Sequence, residues 1–410
     1  MIRGAAVLAI ALSFNASPAA AGAEGGRPAS PAPEVRVEIL GLFSPRRLEV
    51  VAAGGAKLTP VLVAADGREQ RLAPRRSVAI GCGGAAPVVL RGAGRPRQAA
   101  RIRLDTAGRG PLLVGIPGRL QPRPYAGRLE VGEVRGRCRP VNQVPLEHYV
   151  AAVTCREIRA APAAALRAQA VVVRTWALGH RGRHRDAGAD FCDTTHCQLY
   201  QGAAACDRDQ RRALAAVRGR TLWAGDHLAR VAYASTCGGH TAAAAAIWGP
   251  AADRPQLRGV ADRDPDGGGE RALCAGSPHF RWRLALERAA VCAALAEHHP
   301  ALGGGDCRIE VLGRAAGGWV ERLRVRGQVE WELSGERFHL LLGRRFGWGK
   351  FKSANFTIRR RGAVLSFSGR GLGHGVGLCQ HGAMELARRG ADYGAILQHY
   401  FPGTRLGGLP

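Results

Sequence analysis

Apolar and polar residues alternate through much of the first third of the chain. Val35-Arg36-Val37-Glu38-Ile39-Leu40, Leu48-Glu49-Val50-Val51 and Arg101-Ile102-Arg103-Leu104 repeat with period two, and Gly and Pro clusters separate them. This pattern predicts half-buried strands joined by turns over residues 36–140. From 144 to 180 the spacing becomes three and four, the period of a helix. Loops and short strands follow over 190–240. A helical stretch covers 283–300 (Leu284, Leu286, Ala290, Ala293, Leu295), and alternation returns over 308–360, as in Trp319 to Val325. A glycine-rich loop leads into a helical end over 378–401. The fold class expected is α+β: a mixed fold with a β-rich N-terminal region, a helical segment and strand-rich insertions around a groove. No fixed-period repeat and no heptad pattern interrupts it.

The 410 residues suffice for roughly two or three domains with at least one sizeable core. The division expected is a leader over 1–23, a linker over 24–35, a β-rich region over 36–140 and a larger domain over 141–410 that contains an α/β insertion at 283–360. The leader is read from Arg3, an apolar run from Ala5 to Phe14, and the small residues Ala16 to Ala23, the order of an export signal. No apolar run reaches the roughly 20 residues of a spanning helix. The linker is rich in Gly, Pro and Ala.

Charge changes this picture. Lys and Arg number 59 against 32 Asp and Glu, a net charge of +27. Only Lys57, Lys350 and Lys352 are lysines, so 56 basic residues are arginines. Residues 1–140 carry +13 and the rest +14, so no single tail holds the excess. A dispersed cationic surface attracts polyanions; codon bias toward Ala, Gly and Arg accounts for it equally well. Export makes nucleic acid a poor partner and favours acidic glycan or a membrane surface. The eleven cysteines then imply disulfides, and the odd count leaves at least one thiol unpaired or metal-bound.

Three segments carry candidate chemistry. Pro145 suits the first turn of a helix in which Leu146, Val150, Val153 and Glu157 share a face. Glu157 therefore falls beside the buried stripe, where lost hydration would raise a carboxyl pKa into the range of a general acid; a surface pairing with Arg156 or Arg159 is the competing reading. A second helix over Pro162–Leu178 has Leu166, Ala170, Val173 and Ala177 as its stripe, with Gln169 and Arg174 on other, solvated faces. After it, Cys192, His196 and Cys197 with His184 (or His180) supply the donors of a closed, structural tetrahedral zinc site; a Cys192–Cys197 disulfide is the alternative. Two glycine-rich elements remain. Ser235-Thr236-Cys237-Gly238-Gly239 could bring backbone and hydroxyls to a ligand. The run Gly369–Ala383 lacks the Gly-x-Gly-x-x-Gly spacing of a dinucleotide loop; its glycines suit backbone curvature, with His374 and Gln380 as candidate ligand contacts.

Taken together these elements resemble the SpoIID/LytB family of sporulation stage II protein D and amidase enhancer proteins. The matching segments are Val144-Pro-Leu-Glu-His-Tyr-Val150, Arg156-Glu157-Ile158, Ala165-Leu-Arg-Ala-Gln-Ala170 with Arg174-Thr175, and Ser235-Thr-Cys-Gly-Gly239. Further on they are Ser277-Pro-His-Phe-Arg-Trp282, Gly371-Leu-Gly-His-Gly-Val-Gly377 and His399-Tyr-Phe-Pro-Gly403. The resemblance implies a lytic transglycosylase acting on peptidoglycan glycan strands, preferably without stem peptides, with Glu157 as its acid. It further implies sugar contacts from Gln169, Arg174, Ser235, Thr236, Gly238, Gly239, His374 and Gln380. Zinc would be held by Cys192, His196 and Cys197, with His184 fourth, and the setting would be an exported, wall-associated protein. Cys237 stands where many relatives have Ser, and Cys155 lies two residues before the acid. That departure suggests a disulfide near the site, with Cys237–Cys274 the first expectation. Asp190 and Asp193 are the second-carboxylate candidates if the reaction is a hydrolysis. The rival function is a non-catalytic glycan-binding protein that activates a wall amidase as its partner.

Overall fold

A computed structural model describes residues 33–84, 87–91, 95–203, 206–263 and 271–410. The expected leader and residues 24–32 of the linker lie outside the described residues. The described chain forms two compact units: residues 33–159 with His180–Arg218, and Ala160–Gly179 with Gly219–Pro410. The class is mixed α+β with a β-rich N-terminal region, as the alternation predicts.

The first unit contains two sheets. One has seven strands in the order Phe191–Cys192, Glu34–Glu38, Arg137–Pro145, Arg128–Val134, Arg101–Asp105, Thr59–Val63 and Glu69–Arg71. The other has six, in the order Leu120–Tyr125, Leu112–Ile116, Arg47–Ala52, Ser77–Cys82, Val88–Arg91 and Arg97–Ala99. The period-two residues do what their spacing requires: Val35, Val37, Leu48, Val50, Ile102 and Leu104 are all buried. Each such side chain contributes about 1.5–3 kcal/mol by leaving water. Cys82 of the six-stranded sheet is disulfide-bonded to Cys138 of the seven-stranded one, which links the two layers.

The strand Arg137–Pro145 runs directly into the helix Leu146–Glu157, with Pro145 at φ −55° as its N-cap. Leu146, Tyr149, Val150 and Val153 are buried. The helix ends where Ile158 turns to φ −125°, ψ 69°. One turn before that end, Cys155 is bonded to Cys206, just ahead of the helix Arg208–Ala215. Asp207 and Gln210 form a reciprocal capping box on that helix, satisfying N–H groups that would otherwise lack acceptors.

In the second unit, the helix Ala163–Gly179 is buried on nearly every side. It packs on the helices Gln380–Arg388 and Tyr393–Tyr400 and on the strand Thr221–Ala224. Thr175 receives Leu222 N–H at 2.9 Å and donates to Val171 O at 2.7 Å. Two three-stranded sheets, Arg281–Glu287/Val364–Arg370/Phe356–Arg361 and Arg308–Arg314/Val320–Arg326/Glu330–Ser334, share a core with the helices Arg288–Ala296 and Gly335–Phe346. Phe338, Phe351, Phe356 and Phe367 form its centre, and Cys292–Cys307 closes its edge.

The Cys155–Cys206 bond closes a 51-residue separation. Chain-entropy arguments put its contribution at about 4 kcal/mol or less. The double variant Cys155→Ser/Cys206→Ser is expected to lose ~2–4 kcal/mol of unfolding free energy in urea titrations. An unchanged midpoint and slope would show that this bond does not support the helix end.

Candidate functional site

The His/Cys cluster is assembled on a sheet edge. Phe191–Cys192 pairs in parallel with the first strand, Val37 opposite Phe191 and Glu38 opposite Cys192. Asp190 fixes the approach: its carboxylate accepts from Arg36 N–H (2.9 Å) and Gly182 N–H (3.0 Å), and its own N–H donates to Arg36 O (2.7 Å). Asp193 accepts from Leu40 N–H at 2.7 Å, and burial pushes its carboxyl up to about 7. Both acids thus anchor backbone.

The chain on either side of these acids brings four donor atoms within 4.8 Å of one another, from His184, Cys192, His196 and Cys197. Cys197 Sγ lies 3.3 Å from His184 Nε2, and Cys192 Sγ lies 3.6 Å from His196 Nδ1. Both cysteines are free thiols, so the alternative disulfide between them is not formed. His184, not His180, is the fourth member. Hydrogen bonding from Cys197 draws the Cys192 thiol far below its ordinary value. The group can hold a metal ion.

Glu157 is the last residue of its helix and is half-buried. Its neighbourhood is cationic. Arg156 is held below its usual value by burial and then by Arg159 and Arg123, with Glu157 acting in the opposite sense. A cationic grouping of this kind suits an anionic ligand better than a neutral one.

In the second unit, backbone pairing joins the two glycine-rich segments. Tyr233–Ala234 runs parallel to Leu378–Cys379. Thr236 and Leu372 exchange N–H···O bonds of 3.3 and 2.9 Å, Ala242 N–H donates to Gly375 O at 2.9 Å, and His381 N–H donates to Ser235 O at 3.2 Å. Gly375 must be glycine: its φ is 71°, and a Cβ would enter the Trp319 ring. Ser235, Gly239 and His374 are partly exposed here, whereas Gly238 and Gln380 are buried. Val376 N–H donates to His374 Nδ1 at 3.0 Å, and the imidazole lies 5.1 Å from the Trp248 ring.

Three expectations need correction. Gln169 and Arg174, placed by periodicity on solvated faces, are both 0% exposed. Their helix is enclosed all round, which a single apolar stripe could not reveal. Arg174 Nη1 donates to Arg220 O at 2.9 Å. Thr236 is also 0% exposed, and its hydroxyl bonds Ser277 Oγ at 2.8 Å, so its side chain faces the protein interior. The disulfide near the acid is Cys155–Cys206; Cys237 and Cys274 are free, with sulfurs 3.7 Å apart. Sequence reasoning also missed a cleft of about 580 Å³ lined by Arg281, Arg283, Arg314 and Arg370 together with Trp282 and Asn355. Among the described residues no acidic side chain lines it. Arg281-Trp-Arg283 was a visible signal, but the partners from 314 and 370 are set by the fold.

Burial lowers the His374 pKa to about 4, against a weaker raising influence from Glu336 and the Tyr233 backbone, while His339 lowers it further. An unfolded histidine titrates near 6.5. Between these values the unfolded chain binds the extra proton, so folded stability rises with pH from about 4 to 6.5. The variant His374→Gln is expected to lose less stability than wild type when denaturation is compared at pH 7 and 4.5. Equal losses would contradict an imidazole that is neutral in the folded chain.

Known proteins share this arrangement of sequence. The family described as Stage II sporulation protein matches residues 134–223, a span holding Glu157 and the His/Cys cluster. Stage II sporulation protein D of Bacillus amyloliquefaciens is 26% identical over 285 residues, covering 64% of this chain and 74% of its own length. Its counterpart in Bacillus subtilis is 25% identical over 286 residues, 65% and 75% of the two chains. The amidase enhancer of Bacillus subtilis is 26% identical over 274 residues, 59% of this chain and 38% of that protein. With the motif series from Val144 to Gly403, these matches make the chain similar to the SpoIID/LytB family of sporulation stage II protein D and amidase enhancer proteins.

Proposed function

We propose that this chain is a peptidoglycan lytic transglycosylase that cleaves the bond between N-acetylmuramic acid and N-acetylglucosamine in strands freed of stem peptides, with Glu157 as its one acid–base group. The observation that carries the reading is Glu157 itself: a half-buried carboxyl at a helix end, two residues from a disulfide anchor, within the span matched by the family. A hydrolase would need a second carboxylate. Asp190 and Asp193 are engaged by backbone N–H groups, which favours a mechanism that uses one.

In that mechanism the Glu157 proton passes to the glycosidic oxygen as the bond to the muramoyl anomeric carbon breaks. The resulting carboxylate takes the proton of the same sugar's C6 hydroxyl, whose oxygen bonds the anomeric carbon. A 1,6-anhydro end forms, no water is consumed and Glu157 regains its proton. A sugar seated over the carboxyl would displace water and raise its pKa, favouring the protonated start. Removal of stem peptides leaves a lactyl carboxylate on each muramic acid. The four-arginine cleft and the arginines around Glu157 supply charge-assisted hydrogen-bond donors for such groups.

Similarity to an amidase enhancer favours a second reading: a wall protein that binds glycan and activates an amidase without cutting. We assign the His/Cys cluster a structural zinc ion, since two thiolates and two imidazoles fill a tetrahedral shell and leave no open position. The setting proposed is the cell wall. No helix among the described residues is long and apolar enough to cross a membrane.

On denuded glycan, wild type is expected to release chains with anhydro ends. The variant Glu157→Gln is expected to bind equally but cut about 10²–10⁴-fold more slowly. Binding by both proteins with cleavage by neither would establish the enhancer reading. Binding should weaken as salt rises from low to physiological strength; salt-independent retention on glycan would exclude the arginine cleft as its cause. The variant Cys192→Ser should lose one equivalent of bound zinc, and an unchanged zinc content would remove that assignment.

A further inference from the structure

We propose that Cys237, Asp262, Cys274 and Cys379 form a second metal centre, a closed three-thiolate, one-carboxylate site for a single zinc ion. It is independent of the glycan reaction and of the His/Cys cluster, which belongs to the other unit.

The donor set comes from four separate places in the chain. Cys237 lies in the Ser235–Gly239 turn. Asp262 follows the bridge between His240 and Ala261. Cys274 belongs to the short helix Leu273–Gly276, and Cys379 ends the strand paired with Tyr233–Ala234. One ligand atom from each lies within 4.8 Å of every other. The Cys237 and Cys274 sulfurs are 3.7 Å apart. Zinc–thiolate bonds of about 2.3 Å in a tetrahedron put neighbouring sulfurs about 3.8 Å apart, whereas a disulfide requires about 2.05 Å. The disulfides among the described residues are Cys82–Cys138, Cys155–Cys206 and Cys292–Cys307, and Cys237 and Cys274 are free.

Burial makes the arrangement informative. Cys237, Asp262 and Cys379 are 0% exposed and Cys274 is 1% exposed. A carboxyl group and three thiols gathered out of water form a poor hydrophobic core and a good cation site. Their surroundings also resemble an outer coordination shell. Tyr400 donates its hydroxyl hydrogen to Asp262 Oδ1 at 2.6 Å, and Cys274 N–H donates to Asp262 Oδ2 at 3.0 Å. Cys237 N–H donates to Cys379 Sγ at 3.3 Å. Hydrogen bonds of this kind orient metal ligands and leave each oxygen a lone pair for the ion. Backbone pairing already joins the Cys237 and Cys379 segments, so little reorganisation is needed.

Three sulfurs exclude calcium and magnesium, which take oxygen ligands. Four protein ligands leave no position for substrate, so the ion is structural. Binding displaces the three thiol protons and involves no redox change. The ion ties the turn bearing Ser235 to the start of the helix bearing Gln380, because Cys237 and Cys379 lie two and one residues from them. The competing state, a Cys237–Cys274 disulfide with a lone Cys379 thiol, places no such tie on the helix.

The test uses the full chain produced with added zinc salt. The variant Cys192→Ser/Cys197→Ser, which disables the other cluster, should retain about one zinc per chain by elemental mass spectrometry; retention near zero overturns the proposal. In the otherwise native protein, Cys379→Ser should lower the zinc content by one equivalent, and an unchanged content overturns it. A readout independent of variants is intact mass after unfolding in chelator and alkylating agent without reductant. Five alkylated cysteines are expected (192, 197, 237, 274 and 379); three, from a Cys237–Cys274 disulfide, overturn it.

Discussion

Backbone hydrogen bonds between residues 233–242 and 371–381 hold the second unit's candidate surface in place. The two segments are well over a hundred residues apart in sequence, yet they exchange main-chain bonds at Thr236/Leu372, Ala242/Gly375 and Ser235/His381. Such close approach leaves no room for side chains on one partner. Gly375 sits against Trp319, and Trp319 in turn donates its indole hydrogen to His240 O at 3.0 Å. The glycine content of these motifs therefore reflects strand-like docking of irregular chain first. The partial exposure of Ser235, Gly239 and His374 follows from that docking.

The first unit solves a different problem. A loop rich in Cys, His and Asp has little apolar surface of its own, and it is held by grafting two residues onto a sheet edge and spending two carboxylates on backbone N–H groups. Asp190 accepts from Arg36 on the first strand and Asp193 from Leu40 just after it, and the helix carrying Glu157 is anchored by a disulfide. Cationic side chains then dominate the field around it.

The sequence was most legible where periodicity was strong. Val35/Val37, Leu48/Val50 and Ile102/Leu104 identified strands by alternation, and Leu146/Val150/Val153 identified a helix whose start at Pro145 was marked. Cys192, His196 and Cys197 were legible from their proximity, whereas the choice of His184 over His180 came only with the fold. What could not be read depended on long-range packing. The Ala163–Gly179 helix shows one clear stripe, but the neighbours that bury Gln169 and Arg174 come from residues 221–224, 380–388 and 393–400. Cysteine pairing was equally opaque, because Cys155 meets Cys206 across a loop, while Asp262 and Cys379 join Cys237 and Cys274 only through the fold. The arginine cleft gathers residues 281, 283, 314 and 370, a grouping that no local window contains.

The central claim is that one carboxyl group, at Glu157, cuts glycan without water as a reactant. Digesting denuded strands in water enriched in oxygen-18 measures this directly. The account predicts new sugar ends that are anhydro and free of heavy oxygen. One heavy oxygen atom incorporated at each new end would identify a hydrolase and contradict it.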